Sequence, residues 1–285
     1  MSSKKGIGVS VFDLFINANV YISLCAVLMV TQTNHFFSLQ YSIGTFYLFV
    51  FCATLCSYNF HWYLTPFVAS ASPRIAWNDT HRRLLLSIYI VMLIASAILT
   101  LQLIEHWLPL SIGVLATFLY SAPKIPHKYF SLLSKIAVGK TLFLTFVWMY
   151  VTTALPILIA NTPWTTAHTL FCISRFSLIY AICILFDYRD READRAQGIK
   201  SMITWMSEKN ILLIFLTALA LFVISTIALY QQSFSIFTIA LLLIPGGIVL
   251  GLYNYARKHF NDYLYYFILD GLMMFSSLLT LLFRI

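Results

Sequence analysis

Three aspartates, Asp187, Asp190 and Asp194, fall at positions i, i+3 and i+7, with Arg191 and Arg195 beside them. At about 100° per helical residue, the three carboxylates lie within roughly 60° of one another on one face. The run continues into Gly198-Ile199-Lys200-Ser201. Carboxylates gathered this way suit Mg²⁺, which takes few protein oxygens and completes its shell with water and phosphate oxygens. Guanidinium groups next to them suit phosphate, which arginine grips in bidentate fashion. The run directly follows a long apolar segment, although charged residues make up only 10% of the chain. These residue types point to divalent-metal and phosphate chemistry on a lipid-soluble substrate.

The elements that position this run are membrane spans. Of 285 residues 60% are hydrophobic, the mean hydropathy is +0.84, and several runs approach the ~20 residues that cross a bilayer as helix. The expectation is an all-α integral membrane protein with one polytopic domain over residues 1–285. Nine spans are predicted, over 11–30, 41–64, 84–104, 108–122, 136–160, 166–186, 211–230, 234–255 and 263–283. Lys4 and Lys5 precede the first span. Arg74, Arg82 and Arg83 follow the second, Lys124, Lys128 and Lys135 the fourth, Arg189 to Lys209 the sixth, and Arg257 and Lys258 the eighth. The alternate connections carry no Lys or Arg. By the positive-inside rule the N-terminus and the Asp187 connection are cytoplasmic and the C-terminus is outside, across the plasma (inner) membrane in a bacterium.

The net charge of +8 is spread over these connections, with no soluble domain to carry a nucleic-acid docking motif, so no nucleic-acid partner is expected. The five cysteines all lie in apolar runs, which predicts buried thiols and no disulfide framework. The first apolar run is too long for a signal-peptide core, so no cleavable signal is expected.

Asp187, Asp190, Asp194, Gly198, Ile199, Lys200 and Ser201 match, position by position, the second aspartate-rich motif of the UbiA family of intramembrane prenyltransferases, which the chain resembles. Tyr120-Ser121-Ala122-Pro123-Lys124 is similar to a further family stretch after helix four. The resemblance implies a nine-helix UbiA-like bundle. It further implies Mg²⁺-dependent transfer of a polyprenyl group from its diphosphate to a lipophilic or aromatic acceptor. In that reading Asp190 and Asp194 hold Mg²⁺ with support from Asp187, while Arg191, Arg195, Lys200 and Lys124 hold the diphosphate.

The family's first aspartate-rich motif is degenerate in this chain. Asn59 matches its asparagine, but the three carboxylate positions read Phe60, Tyr63 and Phe67, and no Asp or Glu occurs between Asp13 and Asp79. His61 is a poorer Mg²⁺ ligand than a carboxylate, and on a straight helix it points about 160° away from Asn59. Asp79 lies beyond the helix end. Cations facing the same compartment, among them Arg74, Arg82, Arg83, Lys124, Lys128 and Lys200, offer another way to neutralise a diphosphate.

Two lone charges fall inside spans, Arg175 and Asp270. Intramembrane charges usually face the bundle interior with a partner, so an Arg175–Asp270 pair is expected. Aromatic residues make up 16% of the chain, with clusters at Phe36-Phe37, Tyr58 to Tyr63 and Tyr263 to Phe267. They suit interfacial belts, core packing or an isoprenoid cavity. Asn17 and Asn19 suit interhelical hydrogen bonds. The alternatives to prenyl transfer are cyclisation or hydrolysis of a prenyl diphosphate, or lipid binding without turnover. A secondary transporter is disfavoured, because the charges gather on one face and no matched pair of broken spans occurs. A CDP-alcohol phosphotransferase would need an Asp-Gly-x-x-Ala-Arg element that the chain lacks.

Overall fold

A computed structural model describes residues 7–65, 73–121, 140–196 and 202–284. Every regular element among them is helical. We label these helices α1 (Ile7–Asn17), α2 (Val20–Phe37), α3 (Ile43–Tyr63), α4 (Pro73–Thr80), α5 (Arg82–Gln102), α6 (Trp107–Ser121), α7 (Lys140–Ile159), α8 (Thr166–Ala196), α9 (Glu208–Ala228), α10 (Ile236–Ala256) and α11 (Leu264–Phe283). Eight of them (α2, α3, α5, α7, α8, α9, α10 and α11) are long and apolar enough to cross a membrane. The predicted fourth span is the 15-residue α6, shorter than those eight. The chain is an all-α membrane protein.

The predicted first span, 11–30, is not one helix. The chain breaks at Asn19, which sits in the left-handed region at φ 67°, a conformation that asparagine tolerates better than most residues. The crossing helix then runs on to Phe37, seven residues past the predicted end. Helix starts elsewhere follow side-chain chemistry. Ser207 accepts from the Asn210 N–H at the head of α9, and Ser235 accepts from the Thr238 N–H at the head of α10, each satisfying an otherwise orphaned backbone donor.

The core lies between α2, α7, α8, α9, α10 and α11, where Met29, Val30, Ile179, Ile182, Leu185, Phe215, Val249 and Tyr265 are wholly enclosed. Within the spans, the hydroxyls of Thr31, Thr145 and Thr226 bond the carbonyl four residues back, which keeps their protons from facing hydrocarbon. Helix α5 stands at the periphery and packs along α3. Only Leu85 of α5 is buried, and Ile90, Val91, Leu93, Ile94 and Ile98 face outward, as a lipid-facing helix requires. Two crossing helices contain π-helical turns, Tyr150–Ala154 in α7 and Leu264–Leu269 in α11. Such turns recur at functional sites because they redirect side chains.

Candidate functional site

Helix α8 carries the acidic motif without interruption. Its 31 residues span about 46 Å at 1.5 Å per residue, well beyond a ~30 Å hydrocarbon layer. The last turns therefore carry Asp187, Asp190 and Asp194 out of the apolar layer on a continuing helix. The Thr141 hydroxyl of α7 donates to Asp187 Oδ2 at 2.6 Å. The neighbour of Asp190 is Arg189, whose Nε donates to Asp190 Oδ1 at 2.8 Å. The Asp194 side chain, Lys200 and Lys124 lie outside the described residues.

The resemblance assigns two arginines of this helix, Arg191 and Arg195, to diphosphate. Arg191 turns toward α9, where its Nη1 donates to Glu208 Oε1 at 2.7 Å. Glu208 also accepts from the Tyr188 hydroxyl at 2.7 Å, and Arg257 lies 4.0 Å away. Arg195 is exposed. Neither is described next to Asp187.

A different pair of arginines stands beside the motif. Arg189 packs its guanidinium 4.6 Å from the centre of the Tyr266 ring, with Phe186 and Tyr265 at 5.0 and 5.3 Å. Arg74, at the start of α4, places its guanidinium 3.8 Å from the same Tyr266 ring and 4.5 Å from Trp62. The π-helical turn of α11 presents Tyr265 and Tyr266 to these cations and delivers Asp270 to the following turn. Asp270 is buried and lies within electrostatic reach of both Arg74 and Arg189. The expected Arg175–Asp270 pair does not form. Arg175 Nη2 donates to Gln32 Oε1 and its Nη1 donates to the Met273 carbonyl at 3.4 Å, because its place on α8 faces α2 and the middle of α11.

Arg74 is 4% exposed. Its Nη2 donates to Asn19 Oδ1 at 2.6 Å and its backbone N–H to Asp262 Oδ2 at 2.9 Å. Burial is the largest influence on its pKa and lowers it from the ordinary arginine value. Tyr266, Asp270 and Asp262 act against that shift, and Arg189 adds to it as a like charge. Two guanidiniums sharing one ring is a repulsive arrangement that the surrounding carboxylates and π faces offset.

The degenerate first motif borders the same region. Asn59 is buried at the end of α3, where its Nδ2 donates to the Ala18 and Leu55 carbonyls at 3.1 and 2.7 Å. That amide closes the α1–α2 break. His61 stacks on Tyr120 of α6, with ring centroids 5.2 Å apart and planes at 12°, and Tyr120 is within electrostatic reach of Asp187 and Asp190. Phe60 instead stacks on Tyr89 of α5, and Tyr63 carries Arg82 at 4.9 Å. Of the positions where the resembled motif carries carboxylates, Phe60 and Tyr63 are rings here, and Tyr63 receives Arg82; Trp62, between them, receives Arg74. Asp79 is exposed at the end of α4.

Sequence reading missed Arg189 and Tyr266. Arg189 was visible only as one more charge in a basic connection, and Tyr266 as one ring in an aromatic cluster. The described carboxylates do not by themselves assemble a magnesium site. Among the described residues no three His, Cys, Asp or Glu side chains converge, and the two motif aspartates described are engaged by Thr141 and Arg189. No protein-family model matches the chain, and no curated protein or solved structure matches it either.

Proposed function

We propose that the chain is a UbiA-like membrane protein, with α6 as the ninth helix of the bundle. It binds a polyprenyl diphosphate at the cytoplasmic mouth and transfers the prenyl group to a lipophilic or aromatic acceptor. One observation carries the reading: Asp187 and Asp190 stand one turn apart at the polar end of a crossing helix, beside a buried group of cations and rings. The rings suit an isoprenoid tail, and the charges suit its head.

In the transfer, the allylic C–O bond breaks and its electron pair leaves with the diphosphate. The acceptor's nucleophilic atom bonds to the prenyl carbon and gives up a proton. Charge grows on the departing oxygens, and preorganised donors at the mouth stabilise it. Arg195, Lys200 and Lys124 remain assigned to that role, and Arg191 fills it on release from Glu208. Mg²⁺ would be held by Asp187, Asp190 and Asp194 in this proposal and would supply charge neutralisation for the diphosphate.

The test uses purified protein in lipid nanodiscs, Mg²⁺, and labelled geranylgeranyl or longer diphosphates, with and without aromatic acids and long-chain alcohols as acceptors. Expected is diphosphate release that falls in Asp190→Ala. Release no faster than in that variant would sink the reading. The rings of Tyr58, Trp62 and Tyr63 near the mouth favour a second reading, acceptor-free cyclisation or hydrolysis, since π faces stabilise an allylic cation. Prenyl products formed without acceptor would select it, and binding without turnover would select a lipid-binding role.

A further inference from the structure

We propose that Arg74 and Arg189, gathered on Tyr266, contact the phosphoryl oxygens directly and take the place of the cation that the missing first motif would have held. The inference rests on the prenyl diphosphate reading above and names the residues that grip the head.

Donor count is the main argument. A guanidinium offers five N–H donors in a rigid fork. Among the described residues, the Arg74 side chain makes one hydrogen bond, to Asn19, and Arg189 makes one, to Asp190. Arg74 Nε and Arg189 Nη1 are buried with no hydrogen-bond partner among the described residues. A buried charged donor left unpaired is costly, more so beside a second cation. A ligand with several anionic oxygens within one small group removes both penalties together. A diphosphate is such a ligand.

Placement is the second argument. The Arg74 guanidinium is held by Asn19, Trp62 and Tyr266, and its backbone N–H by Asp262, so its fork is preorganised. Trp62 belongs to the stretch in which the family keeps carboxylates. The motif's carboxylates are absent from this stretch, and Trp62 within it seats the Arg74 guanidinium, so a cation stands where the resembled motif would hold a metal. A phosphoryl group can come from a prenyl diphosphate or from an anionic lipid head, and the two are separable by experiment.

The protein is placed in phosphatidylcholine nanodiscs with EDTA, and inorganic pyrophosphate is titrated while melting temperature and Kd are read. The same titration is run in discs containing phosphatidic acid. Expected is a rise in melting temperature with pyrophosphate that needs no Mg²⁺. Affinity should fall about tenfold or more in Arg189→Gln, should partly return in Arg189→Lys, and should not change in Lys258→Gln. Arg74→Lys, which keeps the charge but not the fork, should weaken binding by a similar factor, and its ligand-free melting temperature checks that it folds. Pyrophosphate binding that appears only with Mg²⁺, or that Arg189→Gln leaves intact, overturns the inference and leaves the prenyl diphosphate reading standing. Stabilisation by phosphatidic acid alone overturns the diphosphate assignment. Failure of geranylgeranyl diphosphate to bind with or without Mg²⁺ removes both readings.

Discussion

Two parts of the bundle bury arginine, and they treat it differently. At the far end, Arg175 lies about 18 Å along α8 from Asp187 at 1.5 Å per residue. It is held by neutral groups: the Gln32 oxygen, which also accepts from Ser276 and Ser277, and the Met273 carbonyl, with the Phe171 ring 5.0 Å away. Gln32 completes its own bonding by donating to Thr280 at 2.6 Å. At the motif end, Arg74 and Arg189 share a ring and stand beside carboxylates, Asp190 accepting from the Arg189 side chain and Asp262 from the Arg74 backbone. Both ends leave a buried guanidinium N–H without a hydrogen-bond partner among the described residues, Arg175 Nε at the brace and Arg74 Nε and Arg189 Nη1 at the motif end. The first arrangement is a brace between α2, α8 and α11. The second is a pair of cations whose mutual repulsion carboxylates and π faces offset, and in our proposal a diphosphate joins them.

The largest effect should come at the brace. Gln32→Leu strands a buried guanidinium and should destabilise the protein by about 3 kcal/mol, read by thermal denaturation in detergent. Arg175→Met leaves only neutral groups unpaired and should lose about 1–2 kcal/mol. The double variant should recover part of the Gln32→Leu loss. Simple additivity would break the view of these residues as one unit.

At the motif end, Tyr266→Leu removes the ring under both cations and should cost about 1–2 kcal/mol without ligand. Pyrophosphate should restore more of that stability than it adds to the unmodified protein. An equal loss in Tyr266→Phe, which keeps a π face, would break this assignment.

Asp190→Asn sharpens the contrast, because its pair with Arg189 is half-exposed and worth less than about 1 kcal/mol. Stability should barely move. Affinity for pyrophosphate in EDTA should nevertheless rise, since Arg189 loses its competing carboxylate, even as turnover falls. Weaker pyrophosphate binding in EDTA would place Asp190 on the ligand's side of the site rather than against it.

The smallest effect concerns the docking of α1. The Tyr263 hydroxyl donates to Asp13 at 2.5 Å. That bond, with a smaller contribution from burial, pushes the Tyr263 pKa up to about 12. A raised folded-state value means the contribution is complete below the ordinary tyrosine value of about 10. It fades as pH rises through about 12. Hydrogen exchange in α1 should quicken over that window and leave the Arg175 brace unaffected, and Tyr263→Phe should abolish the dependence.

The spans were legible because hydropathy and basic connections are local signals, and Arg82–Gln102, Glu208–Ala228 and Ile236–Ala256 fall within a few residues of their predicted limits. The break at Asn19 was not, because it depends on Asn59 and Arg74, which meet it only in the folded bundle. Pairing Arg175 with Asp270 failed for a related reason. Opposite charges in neighbouring spans say nothing about depth or facing, and Asp270 lies toward the other arginines. The acidic helix was readable from its spacing alone. The cations completing its surroundings come from α4 and from a residue off the shared acidic face, so no single-helix pattern could reveal them.

All five cysteines, Cys25, Cys52, Cys56, Cys172 and Cys183, are reduced and buried. The protein is therefore a quiet background for thiol labelling. A cysteine placed at exposed Glu105, and another at exposed Lys258, would each stand out against it. A maleimide that cannot cross membranes, applied to intact cells, would then report which of these two ends faces outward.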